Sequence, residues 1–202
     1  MKKFITIVFA LALLLINTEI KAQAFAAKQI NFTVGVGGAD YIWLGSSSQP
    51  LNPLYDGTNS PNWSYPSGQL VLNVEFAVHK YVGIGVFTGV GGTTPTYAGY
   101  SFGGTWLTVP IGVSGNFHFF QLIADKQGLS IADKLDVYAG LSVGSGALIV
   151  LPGQGASTQT FAMVYAGPHV GLNYFFTPKI GVNAQFGYGQ TFAQAGLVIK
   201  VK

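Results

Sequence analysis

Three residues near the middle of this chain have the right types for nucleophilic chemistry: Ser114, His118 and Asp136. A hydroxyl becomes a nucleophile when an imidazole within hydrogen-bond reach takes its proton and a carboxylate orients the ring. Ser114 and His118 are four positions apart. In an extended chain that is about 13 Å, at about 3.3 Å per residue. His118 and Asp136 can meet across neighbouring strands, but the hydroxyl cannot join them, so no catalytic residue is assigned. His79, His118 and His169 are scattered and have no ligand-type spacing, so no metal site is expected. The glycines at 35–38 do not lead into a helix, which excludes a phosphate cradle. No cofactor is expected.

The remaining polar residues fit a different use. Asn73, Glu75, Asn116, His118, Asp136, His169, Gln185 and Lys200 fall in phase with the non-apolar face of alternating segments. Glu75 is the one carboxylate in the middle of such a segment, and Lys200 or a histidine is its expected ion-pair partner. A plug that fixes packing is the simpler use of this set; ion selectivity is the other.

These residues are positioned by strands. In 69–79, Leu70, Leu72, Val74, Phe76 and Val78 share one face, opposite Asn73, Glu75 and His79. Period-two alternation of this kind marks a β-strand. Across a tight turn at 79–81, Val82, Ile84, Val86, Thr88 and Val90 alternate with Gly83, Gly85, Phe87 and Gly89. The same test finds six more strands, at 29–44, 105–120, 135–148, 159–176, 180–188 and 192–202. Gly37 and Gly38 suggest a bulge in the first. Pro110 and Pro168 each remove a ladder hydrogen bond, so bulges or displaced strands are expected there.

Composition says which face meets what. Charged residues are 8% of the chain and mean hydropathy is +0.41, against about 25% charged residues in soluble domains. No apolar run after residue 24 approaches the roughly 20 residues of a helical span. A soluble eight-stranded barrel would put its apolar face inside and a charged face outside. Here the non-apolar face is Gly, Ser, Thr, Asn and Gln, a poor surface for water and an adequate lining for a lumen. The expected fold is therefore all-β, an eight-stranded antiparallel up-and-down transmembrane β-barrel. The inward glycines 35, 83, 85, 112, 140, 144, 171, 181 and 187 either leave room for water or relieve crowding around Phe87, Tyr138 and Tyr165.

Lys2, Lys3 and the apolar run Phe4–Ile16 read as a signal peptide, with an A-x-A-like site at Ala22 and Ala24. The expected division is 1–24 signal peptide and 25–202 barrel; cleavage after Ala22 is the alternative. Cysteine is absent, so no disulfide staples the fold. Without residues 1–24, seven lysines face six acids, and no basic face for nucleic acid remains.

The segments Val109–Phe119 (VPIGVSGNFHF) and Gly171–Gly189 (GLNYFFTPKIGVNAQFGYG) resemble small outer-membrane barrels of the OmpA-transmembrane and OmpX type. The resemblance implies a Gram-negative outer membrane, periplasmic termini, short periplasmic turns and longer external loops. It also implies outer-membrane lipid, lipopolysaccharide and the barrel assembly machinery as partners. Long connections are expected at 45–68, 91–104 and 149–158. The 121–134 connection is long for a periplasmic turn, and 189–191 is short for an external loop. Two aromatic girdles are expected: Tyr41, Trp43, Tyr97, Tyr100, Phe102, Trp106, Phe161 and Tyr188 outside, and Tyr81, Phe117, Phe119, Phe120 and Tyr174 to Phe176 inside. Unlike that class, the sequence ends Ile199-Lys200-Val201-Lys202 without a terminal aromatic. The functional expectation is a structural or surface-interaction role, with a narrow channel for ions or very small solutes as the alternative. An outer-membrane lipid-modifying enzyme and a lipocalin-like binding barrel rank lower. Trp63 and Tyr65 in the 45–68 loop are candidates to stack on sugars or contact a surface partner.

Overall fold

The computed structural model describes residues 23–38, 68–93, 96–97, 100–101, 105–151, 158–187 and 191–201. Eight strands close into one antiparallel up-and-down barrel. They are β1 (Ile30–Gly38), β2 (Gly68–His79), β3 (Val82–Thr93), β6 (Thr105–Phe117), β7 (Leu135–Leu151), β8 (Gln159–Phe175), β9 (Ile180–Gly187) and β10 (Ala193–Lys200). A two-stranded hairpin, β4 (Thr96–Tyr97) with β5 (Tyr100–Ser101), lies in the connection between β3 and β6. The barrel closes where β1 pairs with β10, from Asn31 opposite Lys200 to Gly38 opposite Ala193.

The period-two pattern decides which way each side chain points, and the outcome inverts that of a soluble protein. Leu70, Phe76, Ile84, Val86, Ile111, Val113, Leu141, Val143, Val170, Val182 and Leu197 are exposed on the outside. Asn31, Thr33, Glu75, Ser114, Asn116, His118, Asp136, Ser142, His169, Asn173 and Asn183 are buried inside. No helix among the described residues is long and apolar enough to cross a membrane. The strands themselves supply an apolar exterior around a polar interior, the arrangement a bilayer requires.

Large inward rings are accommodated by glycine on the neighbouring strand. A Cβ on Gly171 would run into the ring of Tyr138, one on Gly144 into Tyr165, and one on Gly112 would approach Val143 O at 2.6 Å and the Phe87 ring at 2.5 Å. The small lining residues thus relieve crowding around Phe87, Tyr138 and Tyr165, all three of them buried.

Several expectations need correction. No register shift accompanies Gly37 or Gly38, which pair in sequence with both β2 and β10. The irregularity lies instead between Ala77 and His79, beside the tight turn. Neither proline shifts the register of the strands it pairs with. Pro110 pairs opposite Gly146 in an unbroken β6–β7 ladder. On its other side, the β3–β6 pairing skips from Thr88–Ile111 to Gly91–Thr108 in the same register. The missing N–H is absorbed as a gap, and Pro110 still accepts a bond from Thr88 Oγ1 at 2.9 Å. Pro168 pairs opposite Leu141 in an unbroken β7–β8 ladder and sits one residue past the β8–β9 pair of His169 with Gly187. The fourth strand stops at Phe117. Phe119 and Phe120 begin α1 (Phe119–Gln127), which a 3-10 turn at Ser130–Asp133 follows. The long 121–134 connection is therefore a folded cap. Helix α1 ends on Gly128 in the left-handed region (φ 68°), whose N–H bonds Ala124 O. Phe175 points into the barrel, not to the rim. Residues 39–44 of the expected first strand, Tyr41, Trp43, Phe102 and Tyr188 of the outer girdle, and all of 1–22 lie outside the described residues.

Candidate functional site

The interior side chains converge on one charged group. His118 sits one residue beyond the end of β6 and is fully buried. Its ring lies between two carboxylates. Nδ1–H donates to both oxygens of Asp136 at 2.9 Å, and Nε2–H donates to Glu75 Oε1 at 3.2 Å. A ring that donates from both nitrogens is an imidazolium. Phe25 stacks on the His118 ring at 3.4 Å between centroids with an 11° interplanar angle. Tyr138 packs nearby at 5.3 Å. A cation over an aromatic face is favourable in a desolvated site.

The carboxylates are held in turn. Glu75 accepts from Asn116 Nδ2 at 2.5 Å and from Asn31 Nδ2 at 3.5 Å, and Gln29 Nε2 donates to Asn31 Oδ1 at 2.6 Å. Asp136 accepts from Asn173 Nδ2 at 3.0 Å. Asn183 Nδ2 donates to Asn173 Oδ1 at 2.8 Å and to Tyr138 OH at 3.0 Å, and Tyr138 OH donates to Gln185 Oε1 at 3.1 Å. A second branch runs from Asn116. Its Oδ1 accepts from His169 Nε2 at 2.8 Å, which leaves His169 Nδ1 to accept from Ser142 Oγ at 2.9 Å.

Of the eight candidate residues, Glu75, Asn116, His118, Asp136 and His169 belong to this network directly. Gln185 joins it through Tyr138. Asn73 lies beside it, with Oδ1 unpartnered. Lys200 is buried but apart. Its Nζ donates to Gln23 O at 2.7 Å and lies 4.0 Å over the Phe175 ring. Glu75 thus takes His118, not Lys200, as its ion-pair partner. Ser114 makes no bond to His118 and its Oγ has no partner. Trp63 and Tyr65 lie outside the described residues. Sequence reasoning missed Asn31, Asn173, Asn183 and Ser142. All four were available from inward phase alone, since Ser142 alternates with Asp136, Tyr138 and Gly140 along β7.

Phe25 was also missed, because it precedes the first strand. It comes in with a seated segment. Ala24 N–H donates to Ala132 O at 2.9 Å, Gln29 Nε2 donates to Ala24 O at 3.1 Å, and Ala24 packs with Phe175 and Val198. This segment and α1 close the turn end of the barrel. Above the cluster, Asn73, Phe87, Ser114, Ser142, His169, Gln185 and Gln194 line a cavity of about 10 Å³. That is room for about one water.

Burial opposes the His118 charge, but the hydrogen bonds and charges of Asp136 and Glu75 more than offset it and push the pKa up to about 9. The folded value is above the unfolded one. The resulting stabilisation is full below about pH 6.5 and is lost as pH rises through about 9. The urea midpoint of the refolded barrel should fall between pH 6 and pH 10. His118→Gln should flatten that fall; an equal slope in the variant would remove His118 as its source.

Comparisons with known proteins give shape alone. No family model matches, and no curated protein matches by sequence. Among solved structures, the N-terminal β-barrel domain of Pseudomonas aeruginosa OprF is 12% identical, covers 86% of this chain and 98% of that one, and has a TM-score of 0.49. Ail of Yersinia pestis is 10% identical over 86% of this chain and 95% of that one, with a TM-score of 0.47. The same protein in a phospholipid bilayer nanodisc gives 9%, 86%, 99% and 0.47. At these values the likeness is to the general barrel form.

Proposed function

We propose that this chain is an integral outer-membrane barrel with a structural and surface-interaction role, carried by its long connections on a closed, non-conducting scaffold. The observation that carries this reading is the interior. Side chains fill it, an ionic cluster of His118 between Glu75 and Asp136 crosses it, Phe25 covers the cluster, and a cavity lined by Asn73, Phe87 and His169 among the described residues accommodates about one water. A conduction path needs a continuous wet lumen. An enzyme needs a reacting group that a substrate can reach, and Ser142 and His169 are buried against a cavity with room for about one water.

In this reading residues 1–24 are a signal peptide and both termini face the periplasm. The short turns 79–81 and 177–179 lie on that side, and the 45–68 loop carrying Trp63 and Tyr65 faces outward to meet a sugar-bearing or protein partner. Lipopolysaccharide surrounds the outer half, and the barrel assembly machinery inserts the chain.

Single-channel recording tests the closed interior. The purified barrel, refolded in detergent and shown folded by its shifted mobility in an unboiled gel, should leave a planar bilayer silent. Discrete conductance steps that shrink in Glu75→Gln under cation-selective conditions would replace this reading with the narrow channel.

A further inference from the structure

Among the described residues, the charges of this barrel are distributed unequally between its two ends. Lys28 precedes β1, Lys80 is in the β2–β3 turn, Lys126 is in the last turn of α1, Lys134 precedes β7 and Lys179 precedes β9. In an up-and-down barrel all five positions are at one end, and all five side chains are exposed. The described residues at the opposite strand ends carry no Lys, Arg, Asp or Glu.

Little at the turn end neutralises these lysines. Among the described residues its surface acids are Asp125 and Asp133. Asp125 is engaged by Lys80 at 3.7 Å, Tyr81 OH at 2.9 Å and Gln23 Nε2 at 3.1 Å. Lys28, Lys126, Lys134 and Lys179 have no carboxylate partner among the described residues. The buried groups do not help, since two carboxylates, Glu75 and Asp136, are already balanced by His118 and Lys200.

The depth of the lysines is fixed by the strands. Lys80 follows outward Val78 by two residues, and Lys179 immediately precedes outward Ile180. At about 3.3 Å per residue, their Cα atoms stand within about 7 Å of the edge of the apolar belt, within reach of the headgroups for a lysine side chain. Exposed Ile123, Leu129 and Ile131 lie among them on the α1 connection, and such side chains favour the acyl boundary over water.

We propose that this end of the barrel is a docking surface for glycerophospholipids with anionic headgroups, such as phosphatidylglycerol, collected around it as a selective annulus. The charge complementarity is a ring of five exposed ammonium groups, of which only Lys80 has a carboxylate partner among the described residues, with apolar residues between them to meet acyl chains. The inference rests on the membrane-spanning reading above.

The test uses the full barrel in phosphatidylcholine vesicles containing trace spin-labelled phosphatidylglycerol or phosphatidylcholine. Electron paramagnetic resonance gives the fraction of each probe immobilised on the protein. Phosphatidylglycerol should associate several-fold more strongly than phosphatidylcholine at low salt. The preference should fall towards unity in 0.5 M salt, about the range where the Debye length shortens to a few ångströms. It should also fall in a Lys80→Gln, Lys126→Gln, Lys134→Gln, Lys179→Gln variant. Equal association of the two probes overturns the proposal, as does a preference unchanged by salt. The salt series needs only the unaltered protein, so it decides the matter even if the variant misfolds. A spin-labelled lipid A probe that outcompetes phosphatidylglycerol overturns the choice of phospholipid. No immobilised lipid of any kind would sink the membrane-spanning reading instead.

Discussion

Asp136→Leu should destabilise the refolded barrel by about 3–5 kcal/mol, the range for removing one partner of a buried ion pair. The reason is what remains behind. His118 is fully buried, and in the variant its Nδ1–H faces apolar atoms. Asn173 loses its acceptor as well. The sign changes if the whole cluster goes. Replacing Glu75, His118 and Asp136 together by leucine removes the charges along with their desolvation cost, and such replacements are often near neutral. The expected result in urea titrations of the lipid-refolded protein is a single variant much weaker than the triple. A triple variant that loses at least as much as the single would mean that the cluster supplies net stability and is no mere polar plug. The polar neighbours left in the triple, Asn31, Asn116 and Asn173, limit how close to neutral it can come.

Gly196→Val should prevent closure. Gly35 and Gly196 face each other across the β1–β10 seam. A Cβ on Gly196 would collide with Val34 O and come within 2.6 Å of Gly35 Cα. Both obstacles are backbone, so no side-chain rotation makes room. Overpacking typically costs about 1–3 kcal/mol where side chains can adjust; here the two strands must separate. The compact, fast-migrating band in an unboiled gel should be lost in Gly196→Val. Gly115→Val serves as the matched control, because a Cβ at Gly115 meets nothing within 4 Å. That variant should fold like the parent. If Gly196→Val also ran as the compact band at full yield, the seam would tolerate side chains and the argument from close approach would be wrong.

The barrel was legible because its signal is period two, repeated eight times, and because so few charged residues could form a water-facing wall. Leu70 to Val78 and Val82 to Val90 alternate cleanly and form β2 and β3. The same signal misled at Phe119, which continues the alternation of Phe117 in β6 but begins α1. Two periods are indistinguishable over so few residues, and only the stretch Gln121–Gln127 breaks the strand pattern. The inward polar set was also legible, since phase alone points Glu75, Asn116, Asp136 and His169 into one lumen. Which of them touch was not. Whether Glu75 meets His118 or Lys200 depends on shear between strands and on Phe175, which occupies the space beside Lys200. Phe25 carried no periodic signal at all. Its position is set by tertiary contacts of Ala24 and Gln29, which no local pattern reports.

The seam between β1 and β10 joins segments at opposite ends of the sequence, Asn31 with Lys200 at one limit and Gly38 with Ala193 at the other. Every other strand pair in the barrel joins consecutive members. A growing chain can therefore zip from β1 through β9 by local steps and still present two open edges. Those edges, β1 and β9, offer unpaired N–H and C=O groups together with an apolar outer face, the combination that recruits other chains. The hazard persists until the last eight residues of strand arrive. The contact that ends it closes the longest loop of any strand pair in the barrel, so it is the slow, entropically costly one. Release from whatever shields the nascent protein must wait for β10, which makes its arrival a checkpoint written into the topology.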